Sequence, residues 1–413
     1  MPFGEQYAAD PAQVWLPLLA AGPVHRVATP DGPPAWVVTT YPEVHAGLLD
    51  PRLSVCTAHA RGGDYKGFAL PPALQAHLLN REPPDHTRLR ALVAPAMSPQ
   101  RIEQLRAAVQ AGVDDLVAPI AAAGHGDLVA EFAVPLPLLV VCDLLGVPDE
   151  ARAQLLEWAR RLLAAEPDQV PRARDTLAGM LRIIDGIIQA KRRTPGEDLL
   201  TVLVQAHDQR HAAGDPVGDP GTDGDGVLSG DELTSMIFYL LFVWYEPSVD
   251  LLSNGVLTLL RHPDQLALLR RQPDLIPAAV EELLRHETPQ ALAAPRFPIE
   301  DVEIADTRIP AGDTVLLSLA AANLDPARFP TGAAIAVEHA TRAHLAFGQG
   351  VHTCLGAPLV RLQTELAIAT LLRRCPELRL AIEPPALRWR HGLRHRGLRE
   401  LPITCSPACG PDP

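Results

Sequence analysis

Between Ser229 and Pro263 the chain carries its longest apolar run, and this run constrains the fold more than any other feature. Ser229-Gly-Asp-Glu232 has the pattern of a capping box, serine first and glutamate three residues later, which predicts a helix start. If unbroken to His262-Pro263, the helix spans roughly 33 residues and roughly 50 Å. It is hydrophobic nearly all round, so it has to cross a protein interior. Only a long chain builds a core thick enough for that. The 413 residues, 47% apolar and 21% charged, are enough, and they exclude a disordered chain or a small domain dependent on disulfides or metal.

The most apolar part, Met236 to Tyr245, is about half a membrane span and leads into Glu246 and Pro247, so no membrane anchor is expected. Thirty-six basic against 49 acidic side chains leave a net charge of −13, which argues against nucleic acid or an anionic membrane as the main partner. Cys56, Cys142, Cys354, Cys375, Cys405 and Cys409 are scattered, and the start MPFGEQYAADPAQVW has no basic-then-apolar leader. A reducing cytoplasm is therefore the expected compartment. Cys405 and Cys409 form one CxxxC without a second pair or nearby histidines, which is weak for zinc.

No internal repeat and no clean linker divides the chain, so residues 1–413 read as one domain. Residues 22–40 alternate apolar and polar around a Pro-Gly turn, which predicts a hairpin. From about 84 to 290 the apolar spacing is mainly helical. Residues 207–228 are rich in Gly, Asp and Pro and read as a solvated loop. Residues 297–320 read as short strands and tight turns, and a helix from about Leu359 to Arg374 follows a glycine-rich loop.

That loop, Phe347-Gly348-Gln-Gly-Val-His352-Thr-Cys354-Leu-Gly356, is the sharpest chemical feature. Its glycines let backbone N–H groups approach the sulfur, and the helix that follows adds its positive end, so both favour a thiolate at Cys354. The string closely resembles the haem-binding signature of the cytochromes P450, and other motifs along nearly the whole chain fall in that family's order. The resemblance implies a mainly α (α+β) fold, a triangular helical domain with a small β-rich lobe, and haem b (iron protoporphyrin IX) as cofactor. It makes Cys354 the thiolate ligand of iron, Phe347 the ring that shields the sulfur, and His352 a partner of a haem propionate. His86 and Arg90, in Pro83-Pro-Asp-His-Thr-Arg-Leu-Arg90, and Arg296, in Ala-Ala-Pro-Arg-Phe, match the family's other propionate ligands. By spacing alone, His86 and Arg90 read more often as a solvated helix face, and the company of the other motifs makes propionate ligands the better reading.

Glu282-Leu-Leu-Arg285 matches the family's Glu-x-x-Arg pair. The arginine that completes that network in relatives is His339 here, and Leu324 stands where another arginine is frequent, so the network is altered, with Arg328 and Arg342 as candidates to repair it. The long helix departs further. Where most relatives have Ala-Gly, a variable residue, an acid and Thr, this chain reads Val243-Trp244-Tyr245-Glu246-Pro247 and then Ser248. The acid is kept, but Trp replaces glycine and Pro replaces the threonine that helps deliver protons. A proline here predicts a kink near Val243, leaving Ser248 and Glu246 as the nearest proton carriers. Trp244 and Tyr245 serve either as pocket wall or as plain core packing.

By family position, substrate contacts come from residues 60–80 with Tyr65 and Phe68, from helices within about 155–190, from Phe242 to Ser248, from Ala291, Leu292, Ala293 and Ala294, and from the loop near Trp389 and His391. The resemblance implies a monooxygenase that hydroxylates, epoxidises or oxidatively couples a small hydrophobic secondary-metabolite intermediate, using O₂ and external electrons. Two alternatives remain: non-ordinary chemistry (peroxide use, or rearrangement, dehydration or cyclisation without oxygen), and a catalytically silent haem protein that recruits a partner. Arg361, Arg373, Arg374, Arg88 and Arg90 suggest a basic face that steers an acidic ferredoxin, itself served by a ferredoxin reductase. An acidic carrier protein presenting a tethered substrate fits the same charge.

Overall fold

The structure, a computed structural model, describes residues 5–29, 33–61, 74–164, 170–212, 227–339, 342–391 and 396–406. They are mostly helical, with small sheets. They gather into two compact units, one of Met1–Ala69, Asp114–Ala133 and Pro247–Pro413, the other of Leu70–Val113 and Val134–Glu246.

In the first unit, Val24–Val27 pairs antiparallel with Ala35–Val38, the hairpin predicted for residues 22–40. Ala35–Val38 also pairs in parallel with Val315–Leu317, Trp36 opposite Val315. Successive side chains of a strand point to opposite faces, and here both faces are covered. Ala35, Val37 and Leu316 pack with Tyr7 and Trp15, whereas Val38, Val315 and Leu317 pack with Val44, Leu48 and Leu53. Val302–Ile304 and Thr307–Ile309 form a small antiparallel pair within the predicted strand region. Trp389–His391 pairs with Arg396–Leu398, and Pro402–Thr404 lies between His125–Asp127 and Arg379–Leu380.

The helices Ile276–Glu287 and Ala357–Arg374 pack together in this unit. On the first of them, Arg285 donates to both carboxylate oxygens of Glu282 at 2.8 Å. Its remaining N–H groups donate to the carbonyls of Asn323, Gly332 and Ala334 at 2.7–2.9 Å, and Glu282 accepts the N–H of Ala336 at 2.9 Å. The pair is thus completed by backbone. This corrects the expected repair by a second arginine: Arg328 lies over the rings of Tyr41 and Phe329, and Arg342 approaches Glu281 at 3.8 Å. His339 ends the short turn Val337–His339, and its side chain lies outside the described residues. Leu324 is buried in the core.

In the second unit the capping box forms as predicted. Ser229 Oγ accepts the Glu232 N–H at 3.1 Å, and the Glu232 carboxylate accepts the Ser229 N–H at 2.8 Å. Glu232 also pairs with Arg88, which donates to the Val227 carbonyl at 2.7 Å.

The apolar helix that starts here is not continuous. Gly230–Phe242 runs for 13 residues, Val243 caps it with its N–H on Tyr239 O at 2.9 Å and forms a turn with Trp244, and Tyr245–Arg261 runs for 17. Proline explains the break. Inside an unbroken helix Pro247 would clash with the Val243 carbonyl and offer it no N–H, but as third residue of a new helix its missing N–H is one that has no helical acceptor anyway. Taken as one segment, 230–261 is long and apolar enough to cross a membrane, which the shorter run weighed from the sequence is not. Since 67% of its most apolar window is buried inside the protein, the segment fits a core helix.

Removing Arg285 would leave the Glu282 carboxylate buried without its cation. Arg285→Ala is expected to lower stability by about 3–5 kcal/mol, read as a fall in the denaturant midpoint.

Candidate active site

The cysteine loop lies wholly in the first unit. Gly348 (φ +67°) and Gly350 (φ +78°) turn the chain through the left-handed region that side chains disfavour. At Gly350 there is no room either, because a Cβ would lie 3.2 Å from the Leu48 carbonyl oxygen and 3.1 Å from a Leu49 methyl. The Gly348 N–H donates to Leu345 O at 2.8 Å, and the Cys354 N–H donates to Phe347 O at 2.9 Å. Thr353 closes the turn by donating from its hydroxyl and its N–H to Gly350 O at 2.7 and 3.1 Å. Cys354 is held on this frame with its side chain exposed. Two residues later Gly356 caps the 18-residue helix Ala357–Arg374, so the positive helix end stands beside the sulfur-bearing residue.

Beneath the loop is a charge cluster that the sequence did not announce. Glu281, 5% exposed, accepts from Arg361 through both carboxylate oxygens at 2.5 and 3.0 Å and meets His344 Nε2 at 3.1 Å. The Arg361 guanidinium sits 4.7 Å from the centroid of the Phe347 ring. Burial alone would push the Glu281 carboxyl up, but the hydrogen bonds and charges of His344 and Arg361 outweigh it and bring the group down to about 2.

Arg296, 4% exposed, is placed by backbone bonds with Val315 and donates from its guanidinium to Leu53 O at 3.2 Å. Ala291 and Leu292, expected as pocket wall, are buried at 2% and 0% in the core cluster under the three-stranded sheet, and Ala293 joins the opposite cluster. Ala294 alone of the four is half-buried.

Pro247 and Ser248 open the helix Tyr245–Arg261, Ser248 being 2% exposed. Farther along it, buried Asp250 accepts from Arg390 at 2.7 Å, and Asn254 donates to the Arg396 carbonyl at 2.8 Å. The Arg396 side chain pairs with Glu287 at 2.7 Å and lies 4.1 Å from the Trp389 ring. These contacts fasten the hairpin Trp389–Leu398 to that helix. His391 presents only its backbone, its side chain being outside the described residues.

The second unit holds His86, 2% exposed, and half-buried Arg90 one helical turn on in Asp85–Val93. It also holds half-buried Phe242, Val243, Trp244 and Glu246. Phe242 stacks on Phe238 at 5.2 Å and meets the edge of Trp158 at 5.9 Å. His77 stacks on Tyr239 at 5.1 Å, and burial pushes its imidazole down to about 4. Tyr65 and Phe68 lie outside the described residues.

The arginines of the expected basic face meet acidic partners within each unit, though not one for one. Arg361 is committed to Glu281, Arg373 and Arg374 share Asp114 at 3.4 and 3.5 Å, and Arg88 pairs with Glu232.

The family model for cytochrome P450 matches residues 269–380, the stretch that carries Glu282, Arg296 and the cysteine loop. Over 407 residues the chain is 42% identical to the cytochrome P450 monooxygenase PikC of Streptomyces venezuelae, covering 97% of this chain and 92% of that protein. The chain is a cytochrome P450. It is also 38% identical over 380 residues to the 6-deoxyerythronolide B hydroxylase of Saccharopolyspora erythraea, covering 90% of each. Among solved P450 structures, the tirandamycin C-bound monooxygenase TamI superposes with a TM-score of 0.86 at 38% identity, covering 97% of this chain and 99% of that one. P450BioI in complex with an acyl carrier protein ligated to hexadec-9Z-enoic acid superposes at 0.84 with 32% identity, covering 97% and 100%.

Membership of the P450 family implies haem, and the donor set fits it. An exposed thiol at a helix start suits iron, and in the same unit buried Arg296 suits a carboxylate that a core cannot hold unpaired.

The Glu281 carboxyl gives this P450 an acid limit. Its folded value, about 2, lies below the ordinary value of 4.5, so the stability it contributes is complete above pH 4.5 and is lost as pH falls toward 2. Replacing it with Gln removes this contribution to the pH dependence, and acid unfolding followed by circular dichroism of both proteins is expected to show a shallower loss in Glu281→Gln.

Proposed function

We propose that this P450 uses O₂ and external electrons to oxidise a small hydrophobic secondary-metabolite intermediate, either inserting one oxygen atom by hydroxylation or epoxidation or coupling it oxidatively with both oxygen atoms leaving as water, within one catalytic domain spanning the chain. The observation that carries the reading is the cysteine loop: an exposed Cys354 whose N–H is tied to Phe347 O, at the start of an 18-residue helix. Haem b, when bound, supplies the iron at which oxygen is activated. Cys354 would ligate that iron, and Phe347, Gly348 and Gly356 would shape the loop around the sulfur. His352 and Arg296, with His86 and Arg90, would hold the propionates. The named relatives, a hydroxylase of 6-deoxyerythronolide B and an enzyme with tirandamycin C bound, support a natural-product substrate. Half-buried Phe242, Val243, Trp244 and Ala294 supply an apolar wall for it.

Proton delivery falls to Glu246 and Ser248. Glu246 is half-buried and reaches solvent, whereas Ser248 is shut off from it, so Glu246 takes the proton up and Ser248 is the inner hydroxyl. Electrons come from a ferredoxin and its reductase; Arg361 is taken up by Glu281, while Arg373 and Arg374 share one carboxylate and keep net positive charge to steer an acidic partner. Delivery of the substrate on a carrier protein is supported by the P450BioI complex.

The helix break favours a second reading. Trp244 stands where relatives have glycine, and Pro247 where they have threonine, which fits peroxide use, or rearrangement, dehydration or cyclisation without oxygen. A catalytically silent haem protein is the third.

Reduced protein under carbon monoxide separates these readings. Wild type is expected to give the thiolate-type carbonyl band, and Cys354→Ser to lose it. If carbon monoxide binds only after Trp244→Gly, a diatomic ligand cannot reach the site and the monooxygenase reading gives way to non-oxygen chemistry or silence.

A further inference from the structure

We propose that Glu281 and Arg361 are a positioning pair of opposite charge that sets the electron affinity of the haem-thiolate centre, acting through Phe347. The inference rests on the assignment of Cys354 as iron ligand.

Three contacts run in sequence from Glu281 to the cysteine. The carboxylate grips Arg361 with both oxygens at 2.5 and 3.0 Å, a two-pronged geometry that fixes the plane of the guanidinium. The guanidinium carbon then lies 4.7 Å from the centroid of the Phe347 ring, within cation–π range. The Phe347 carbonyl in turn accepts the Cys354 N–H at 2.9 Å. His344 adds a second hold, since its Nδ1 accepts the Ala346 N–H at 3.3 Å, which leaves Nε2 to donate to Glu281 at 3.1 Å. Glu281 therefore anchors the loop at both ends, through His344 before it and Arg361 after it.

The pair is distinct from the neighbouring Glu282–Arg285 pair. Successive residues of a helix point about 100° apart, and Glu282 is saturated by Arg285 and a backbone N–H. Glu281 is instead paired across to another helix and is almost enclosed: its side chain is 6% exposed and that of Arg361 is 24%. Charges so enclosed act on a nearby centre through a medium less screening than water. Reduction adds negative charge, so a fixed positive charge at Arg361 favours it and a fixed negative charge at Glu281 opposes it.

The sign pattern separates this role from a structural one. In spectroelectrochemical titration of the haem-loaded full chain, Glu281→Gln is expected to raise the midpoint potential and Arg361→Gln to lower it. The double variant should return toward wild type. Arg361→Lys keeps the charge while losing the two-pronged grip, so its potential should stay near wild type, and it serves where Arg361→Gln fails to load haem. Potentials that all move the same way, or that do not move, overturn the inference, because loosening of the loop gives a common direction. The carbonyl band of the same samples reports the underlying assignment. If wild type lacks the thiolate-type band, the assignment of Cys354 fails and the inference falls with it; if the band is present and the potentials are unmoved, the inference alone fails.

Discussion

The helix Ile276–Glu287 buries three carboxylates, Glu281, Glu282 and Glu287, and each has to be met by a cation because an isolated charge in a protein interior costs more than a fold can carry. The cations come from three directions. Arg285 answers Glu282 from the same helix, Arg361 answers Glu281 from the helix after the cysteine loop, and Arg396 answers Glu287 from the C-terminal hairpin. Satisfying this one helix therefore brings together most of the first unit. Glu287 is held well below the usual carboxylate range; its burial pushes the other way and is outweighed by Arg396, His286 and Thr258. The cysteine loop inherits its rigidity from this arrangement, since Arg361 and His344 flank it and both end on Glu281.

The apolar helix shows a local rule acting inside a tertiary demand. Hydrophobicity on all sides sends residues 230–261 through the interior, and Pro247 forbids them to do so as one helix. The chain resolves the conflict with a turn at Val243 and Trp244, where Val243 still donates its N–H to Tyr239 O as the cap of the first helix. Ser248 and Glu246 then begin a new helix rather than continue an old one. Pro247 thus decides where the backbone breaks.

Legibility in the sequence followed distance along the chain. The capping box at Ser229, the hairpin at 22–40 and the turn glycines of the cysteine loop were readable because each depends on residues a few positions apart. The repair of the Glu282–Arg285 network was misjudged because backbone carbonyls, not a second arginine, complete it, and a carbonyl leaves no mark in a sequence. The bonds between Asp250 and Arg390, 140 residues apart, and between Arg361 and Glu281, 80 apart, carry no local pattern at all.

By itself the sequence determined the residues that could serve: a thiol on a glycine turn before a helix, a set of cations for carboxylates, and a proline that must break its helix. These follow from backbone sterics and short-range hydrogen bonding, which the order of residues dictates directly. Only the tertiary structure decided which charges neutralise which. Arg361 and Arg88, read as part of a steering face, became enclosed partners of Glu281 and Glu232, because a buried carboxylate binds whatever cation the fold brings within reach, and that reach is set by packing between segments far apart in the chain.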